Sequence, residues 1–137
     1  MSGSTGIDDQ IARQRQFQSD HPDVVITHIP PFWTGIINVS ARRRTVKRGD
    51  LGLVLDELGA LAEVEAERVA IEDAYPAWHV WLSDLGRWWS TRHGPLGRYM
   101  GRDGTPITLD ADSPAALRAL LDDARRRAEI AAARTAR

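Results

Sequence analysis

The sequence predicts an α+β protein built from two repeated α-β-β-β-α units, and three features of the 137-residue chain support this fold class. Two stretches rich in β-branched and aromatic residues, at 24–47 and 78–110, are typical of β-strands. Each stretch follows a helical pattern that ends at a proline, and each precedes a leucine-rich helix. Because the signals come in the same order twice, we expect an internal repeat. Its two copies should form one pseudo-symmetric antiparallel-sheet domain with helices packed on it.

Matching residues mark equivalent points in the two halves. The first helix of each half ends in His21-Pro22 or Tyr75-Pro76, and each strand region carries an aromatic doublet, Phe32-Trp33 or Trp88-Trp89. The helix between the two strand regions would then belong to both units. We expect a single domain over 7–128, with repeats at about 7–62 and 63–128, between a flexible segment at 1–6 and a C-terminus that frays over 129–137.

The elements of the first unit follow from apolar spacing and capping residues. A helix stops before Pro22, since the residue that precedes proline is pushed out of the helical region. Pro30-Pro31 divides two β-branched runs. Asp50 is a good N-cap, because its carboxylate can accept a hydrogen bond from a first-turn N–H. The predicted elements are a helix at 7–20, strands at 24–29, 32–39 and 45–47 after a turn at 40–44, and a helix from 51 to about 73.

The second unit contains the strongest hairpin signal of the chain. Strands at 78–82 and 87–93 flank a turn at 83–86, and a glycine-rich loop separates them from a third strand at 106–110. Ser113-Pro114 predicts the start of the last helix, with serine at the N-cap and proline at the first helical position.

The composition fits one compact core and excludes several classes of protein. A net charge of -1 is neither the basic balance of a general nucleic-acid binder nor the acidic bias of a disordered tail. The absence of cysteine excludes a disulfide framework, a thiolate nucleophile and a sulfur-ligated metal. No apolar run approaches the ~18 residues of a membrane span, and no secretory signal is apparent, so we expect a cytoplasmic protein.

Four of the five tryptophans lie in the second unit, and both faces of its hairpin carry them. Strand alternation directs Trp78, Val80 and Leu82 to one face, and His79 and Trp81 to the other. One interpretation is that cross-strand aromatic pairs stabilise a small sheet. The other is a surface for a protein partner or for a second copy of the chain. The predicted contact residues are Trp78, His79, Trp81, Trp88, Trp89 and Arg92.

A cluster of cations supports an alternative function. Five of them fall within seven residues at a predicted hairpin tip: Arg42, Arg43, Arg44, Lys47 and Arg48. Such a basic hairpin could bind phosphates as part of a nucleic-acid-binding regulator, together with Arg98 and Arg102 in the corresponding loop of the second unit. The simpler interpretation is a solvated turn in a chain that uses arginine seventeen times and lysine once.

The sequence contains no recognisable catalytic or metal-binding motif. A G-x-S-x-G elbow and a phosphate-binding loop are both absent. The four histidines lack close ligand spacing, and His79 and His93 are the one pair that could share a sheet face. We therefore expect no enzymatic activity, no cofactor and no metal.

The second unit carries a resemblance beyond its fold. The pattern P-x-W-H-V-W, then R-W-W-S-T-R, a Thr-Leu-Asp-Ala strand and an S-P-x-x-L-R-x-L-L helix resemble small actinobacterial proteins of unestablished function. The resemblance implies an actinobacterial source and a fold family. It transfers no catalytic residue.

Overall fold

The computed structural model describes residues 2–93 and 108–135, with side chains described for 6–93 and 108–134. It confirms the α+β class, with three helices and two separate three-stranded antiparallel sheets in α-βββ-α-βββ-α order. The elements are α1 (Ser2–Asp20), β1 (Val25–Ile29), β2 (Phe32–Val39), β3 (Arg42–Arg48), α2 (Leu51–Ala74), β4 (Trp78–Leu82), β5 (Trp88–Arg92), β6 (Thr108–Ala111) and α3 (Pro114–Thr135).

The chain divides into two compact units, Met1–Glu65 and Ala66–Arg137. Each unit contains a sheet whose strands follow sequence order, β1-β2-β3 in the first and β4-β5-β6 in the second. The helix α2 contributes its first part to one unit and its last part to the other. Two helix bounds differ from expectation, because α1 already begins at Ser2 and α3 continues past 129 to Thr135.

The core of the first unit lies between its sheet and the helices. Alternation along β2 turns Gly35, Ile37 and Val39 inward, where they are buried with Val46 of β3. These side chains pack in one cluster with Val54 and Leu58 of α2. Gly35 leaves room for Leu58, since a Cβ at position 35 would lie 2.5 Å from the Leu58 Cδ1 atom.

A two-residue turn, Ser40-Ala41, joins β2 to β3. Both residues have positive φ, 56° and 62°, a left-handed conformation that costs roughly 1–2 kcal/mol for a residue with a Cβ. Glu65 accepts a hydrogen bond from the Ser40 N–H at 2.9 Å. Because the turn is this short, β3 starts at Arg42. The prediction of a turn over 40–44 is therefore wrong. The arginines at 42–44 lie in a strand and not at a hairpin tip.

Both predicted helix caps are present. The Leu53 N–H donates to the Asp50 carboxylate at 3.1 Å, and the Ala116 N–H donates to the Ser113 hydroxyl at 3.1 Å. The same carboxylate of Asp50 accepts a hydrogen bond from Gln10 at 3.0 Å, which ties α1 to the start of α2. Local capping chemistry thus fixes where α2 and α3 begin.

The sheet of the second unit buries one face. Trp78 and Val80 of β4, Trp88 and Ser90 of β5, and Ala111 of β6 are all buried. The helix α3 packs on β5 and β6 and buries its apolar side chains at Leu117, Leu121 and Ala124. The opposite face carries His79 and Trp81 with Trp89 and Thr91, as strand alternation predicts.

Two side chains of α2 cap the free edge of β4. Glu72 accepts a hydrogen bond from the Val80 N–H at 2.7 Å, and Arg68 donates to the Val80 carbonyl at 3.1 Å. The same two side chains form an ion pair at 3.1 Å. An edge strand normally exposes unpaired backbone groups, and here helix side chains satisfy them.

Candidate interaction surface

The outer side of the second sheet carries a row of flat rings, which we call the aromatic face and define as His79, Trp81 and Trp89. Trp81 and Trp89 are direct cross-strand partners, and their ring centroids lie 6.2 Å apart with an interplanar angle of 11°. The His79 ring stacks on Trp81 at 5.7 Å. The two indoles are half-buried and the His79 side chain is 56% exposed. The three rings thus form one continuous outward surface.

The capped edge of β4 also orients the histidine of this face. The His79 Nδ1 atom lies 2.9 Å from the Glu72 carboxylate, which in turn pairs with Arg68. Burial alone would raise the pKa of Glu72. The hydrogen bond from the Val80 N–H and the charges of Arg68 and His79 outweigh that effect, so the pKa of Glu72 is lowered from its ordinary value of 4.5. Glu72 therefore holds the His79 ring as a carboxylate.

The six residues predicted as one contact surface divide between two faces. Trp78 and Trp88 keep only 6% and 5% of their surface exposed, on the side that packs against the helix. Arg92 is the cross-strand partner of Trp78 and lies on that same side. The remaining three are the aromatic face. One pair of tryptophans therefore lies in the core, and the other pair, Trp81 and Trp89, stacks across two strands on the outer face.

Strand pairing shows which residues of the two sheets are equivalent. In each sheet one inward residue of the middle strand is small, Gly35 in β2 and Ser90 in β5, and an inward tryptophan precedes it by two positions. Those tryptophans are Trp33 and Trp88. The second residue of the doublet Phe32-Trp33 therefore corresponds to the first residue of the doublet Trp88-Trp89. Phe32 points outward, whereas Trp88 points inward.

This equivalence shows that the outer aromatic pair is not shared. The counterparts of Trp81 and Trp89 are Thr27 and Thr34, which are also cross-strand partners. The same three-stranded plan is therefore built with threonines at these positions in the first unit. It follows that this sheet plan does not itself require an indole pair on its outer face.

The border of the aromatic face carries a paired charge. Asp110 of β6 lies opposite Trp89 in the strand register. Its carboxylate accepts a hydrogen bond from the Arg87 Nε atom at 2.6 Å. Arg87 also lies 3.7 Å from the carboxylate of Asp112, so one guanidinium offsets part of the charge of two carboxylates beside the indoles.

A groove of about 390 Å³ lies on the other side of the second unit, where α2 ends beside α3. Its wall includes Tyr75, whose hydroxyl donates to Asp122 at 2.5 Å. That hydrogen bond, burial and the charge of Asp122 raise the pKa of Tyr75. Arg125 lies 4.4 Å over the tyrosine ring and donates to the Ala74 carbonyl at 2.8 Å. Sequence spacing gave no sign of this cluster, because Tyr75 and Asp122 are 47 residues apart.

The basic residues of the first unit are spread over two sides of β3. Alternation places Arg43 and Lys47 on the outer face, and Arg42, Arg44 and Arg48 on the side of the helices. Arg48 pairs with Glu57 at 2.8 Å, and the Lys47 ammonium lies 4.4 Å over the Phe32 ring. The other two predicted nucleic-acid contacts, Arg98 and Arg102, lie outside the described residues.

The described residues contain no group of three histidine, cysteine or acidic side chains that could hold a metal ion. The His79 and His93 rings do share the outer sheet face, with centroids 6.4 Å apart. No helix in the described part of the chain is long and apolar enough to cross a membrane.

No protein-family model, curated protein or solved structure matches this chain.

Proposed function

We propose that this protein is a non-enzymatic interaction module and that the aromatic face is its contact surface. The observation that supports the proposal is the difference between the two sheets. Trp81 and Trp89 stand where the first unit has Thr27 and Thr34. Since the sheet plan forms with threonines, the indoles add little that the fold needs, and a contact with another molecule explains their presence.

The chemistry of the three rings suits a protein contact. Tryptophan is enriched among the residues that contribute most to binding, because a large rigid ring buries much apolar area and loses few rotamers. Paired strands hold both indoles, and Glu72 holds the ring of His79. The surface therefore needs little ordering when it binds, which favours affinity.

A second copy of the chain is the partner that fits this face best. Two identical faces repel each other when they carry a net charge, and here Arg87 lies between Asp110 and Asp112 and offsets part of their negative charge. The stacked rings are flat, so two such faces can meet through offset aromatic contacts. We further infer that both units are copies of one α-β-β-β-α plan within one pseudo-symmetric domain, in which the second copy acquired the contact.

Sedimentation equilibrium tests this proposal. The wild-type chain has a mass of 15.2 kDa, and we expect its average mass to rise toward twice that value as the concentration increases from about 10 µM to 1 mM. The double variant Trp81→Thr/Trp89→Thr places the residues of the first unit on the second sheet, and it should be monomeric and still unfold in one cooperative thermal transition. The matched control is Thr27→Ala/Thr34→Ala, which should associate as the wild type does. A wild-type chain that stays monomeric, or a folded double variant that keeps the dimer mass, would contradict self-association through this face.

A further inference from the structure

The third strand of the first unit ends its sheet with an open edge. The turn Ser40-Ala41 makes Val39 and Arg42 cross-strand partners next to a two-residue loop, which is a hydrogen-bonded position. Bonded and non-bonded positions alternate along an antiparallel pair. The N–H and C=O groups of the residues at 43, 45 and 47 therefore point away from β2.

Hydrogen bonds agree with this assignment. The Arg48 guanidinium donates to the Lys47 carbonyl at 2.7 Å, so that carbonyl does point outward. Among the described residues no hydrogen bond satisfies the backbone groups of Arg43 and Thr45 on this edge. All three residues are exposed. In the second unit, by contrast, Arg68 and Glu72 satisfy the edge groups of Val80. Helix side chains thus satisfy the edge of β4, whereas the edge of β3 stays open.

The positive side chains of β3 determine which kind of strand its free edge can bind. If two copies of β3 paired antiparallel about Thr45, Arg42 would face Arg48 and Arg43 would face Lys47. Like charges directly opposite each other destabilise a strand pair, so a second copy is disfavoured. In the described part of the chain, Arg43, Arg44 and Lys47 have no acidic partner. The edge therefore combines open backbone groups with uncompensated positive charge.

We propose that the free edge of β3 binds an extended acidic segment of a partner protein as a fourth strand. The segment would exchange backbone hydrogen bonds with Arg43 and Thr45 and accept one from the Lys47 N–H, because the Lys47 carbonyl is already bound by Arg48. Acidic side chains four residues apart would lie on one face of the added strand, about 14 Å apart at the usual strand rise. That spacing matches Arg43 and Lys47, which share the outer face of the sheet.

The backbone geometry favours a peptide over nucleic acid. The open edge offers N–H donors and a C=O acceptor, and an extended peptide pairs with both kinds of group. A phosphate backbone supplies acceptors alone, so it would leave the Thr45 carbonyl unpaired. This surface lies in the first unit, and the proposal is independent of the aromatic face.

Fluorescence anisotropy with labelled peptides tests this proposal on the full chain. The probe is an eleven-residue peptide of alternating glutamate and valine at about 150 mM salt, and a lysine–valine peptide is its control. We expect the acidic peptide to bind and the basic one not to bind. An acidic peptide of the same sequence with an N-methyl group on every backbone nitrogen keeps its charge but has no N–H on either edge to pair with β3, and we expect it to bind at least tenfold more weakly.

Two variants of the protein locate the site. Arg43→Glu should weaken the acidic peptide at least tenfold, whereas Arg15→Glu, the same charge change on an exposed residue of α1, should leave its affinity within twofold. Thr45→Pro removes an N–H that the β2–β3 ladder does not use, and it should also weaken binding tenfold.

Three outcomes would overturn the proposal. The first is no anisotropy change with the acidic peptide up to 1 mM. The second is equal affinity for the N-methylated peptide, which would mean attraction by charge without strand addition. The third is tighter binding of a single-stranded DNA oligonucleotide of equal charge, with the same loss in Arg43→Glu, which would make the edge a phosphate site.

Discussion

Replacing Gly35 by alanine tests how the core of the first unit is packed. The added Cβ would lie 2.5 Å from the Leu58 Cδ1 atom and 3.0 Å from Cδ2 and Cγ. Carbon atoms pack best at about 3.5–4.0 Å, so the overlap reaches about 1 Å. Leu58 has no exposed surface, and its side chain therefore cannot swing into solvent. Overpacking of this kind costs about 1–3 kcal/mol, and the smaller backbone entropy loss of alanine offsets about 0.5–1 kcal/mol. We expect a net loss of about 1–2 kcal/mol in the free energy of unfolding.

Urea denaturation followed by circular dichroism measures this effect, and a neighbouring glycine supplies the control. Gly59 lies in α2, and a Cβ added there would meet no atom within 4 Å, so Gly59→Ala should stabilise the protein by about 0.5–1 kcal/mol. In the double variant Gly35→Ala/Leu58→Ala, the new methyl group fills part of the space that Leu58 leaves. The double variant should therefore lose about 1 kcal/mol less free energy of unfolding than the sum of the losses in Gly35→Ala and Leu58→Ala. A Gly35→Ala variant as stable as the wild type, or strict additivity with Leu58→Ala, would refute this packing.

Three further predictions concern single sites. Ser40→Asn/Ala41→Gly places residues that favour positive φ in the β2–β3 turn, and chemical denaturation should show a gain of about 1–2 kcal/mol. Glu72→Gln should lower the melting temperature at pH 7. Because the pKa of Glu72 is lowered in the folded protein, its charge stabilises the fold above pH 4.5, and this contribution is lost as the pH falls through the folded pKa. The melting temperatures of wild type and variant should therefore converge as the pH falls below the folded pKa. Ser90→Ala removes a buried hydroxyl with no hydrogen-bond partner among the described residues, so it should be neutral or stabilise by up to about 1 kcal/mol.

Each of these predictions has a result that contradicts it. An unchanged stability of the Ser40→Asn/Ala41→Gly variant would mean that the turn is not left-handed. A melting-temperature difference for Glu72→Gln that does not narrow as the pH falls below 4.5 would mean that the charge of Glu72 contributes nothing. A loss of more than 1 kcal/mol in Ser90→Ala would mean that the hydroxyl has a hydrogen-bond partner.

The parts of the fold that depend on neighbours in the chain could be predicted from sequence. Asp50 and Ser113 start helices because their side chains reach backbone N–H groups three residues away. The two faces of the tryptophan hairpin follow from strand alternation, which needs no tertiary information. The starts of α2 and α3 and the two faces of the tryptophan hairpin could therefore be predicted from the sequence.

The parts of the fold that depend on strand register could not be predicted from the sequence. Aligning the two aromatic doublets by letters pairs Phe32 with Trp88, yet one points outward and the other inward. The pairing of residues within each sheet determines the directions of these two side chains. No pattern of neighbouring residues in the sequence indicates them. The start of β3 was missed for a related reason, because Ser40-Ala41 lacks the asparagine or glycine that usually signals a two-residue turn.

The signals of the five indole N–H groups in a proton–nitrogen correlation spectrum test the central claim most directly. Each signal can be assigned by a single Trp→Phe replacement. As protein concentration rises from about 10 µM to 1 mM, we predict that the signals of Trp81 and Trp89 shift while those of Trp33, Trp78 and Trp88 stay in place. Shifts at Trp78 or Trp88 without shifts at Trp81 and Trp89, or association that moves none of the five, would contradict a contact through the aromatic face.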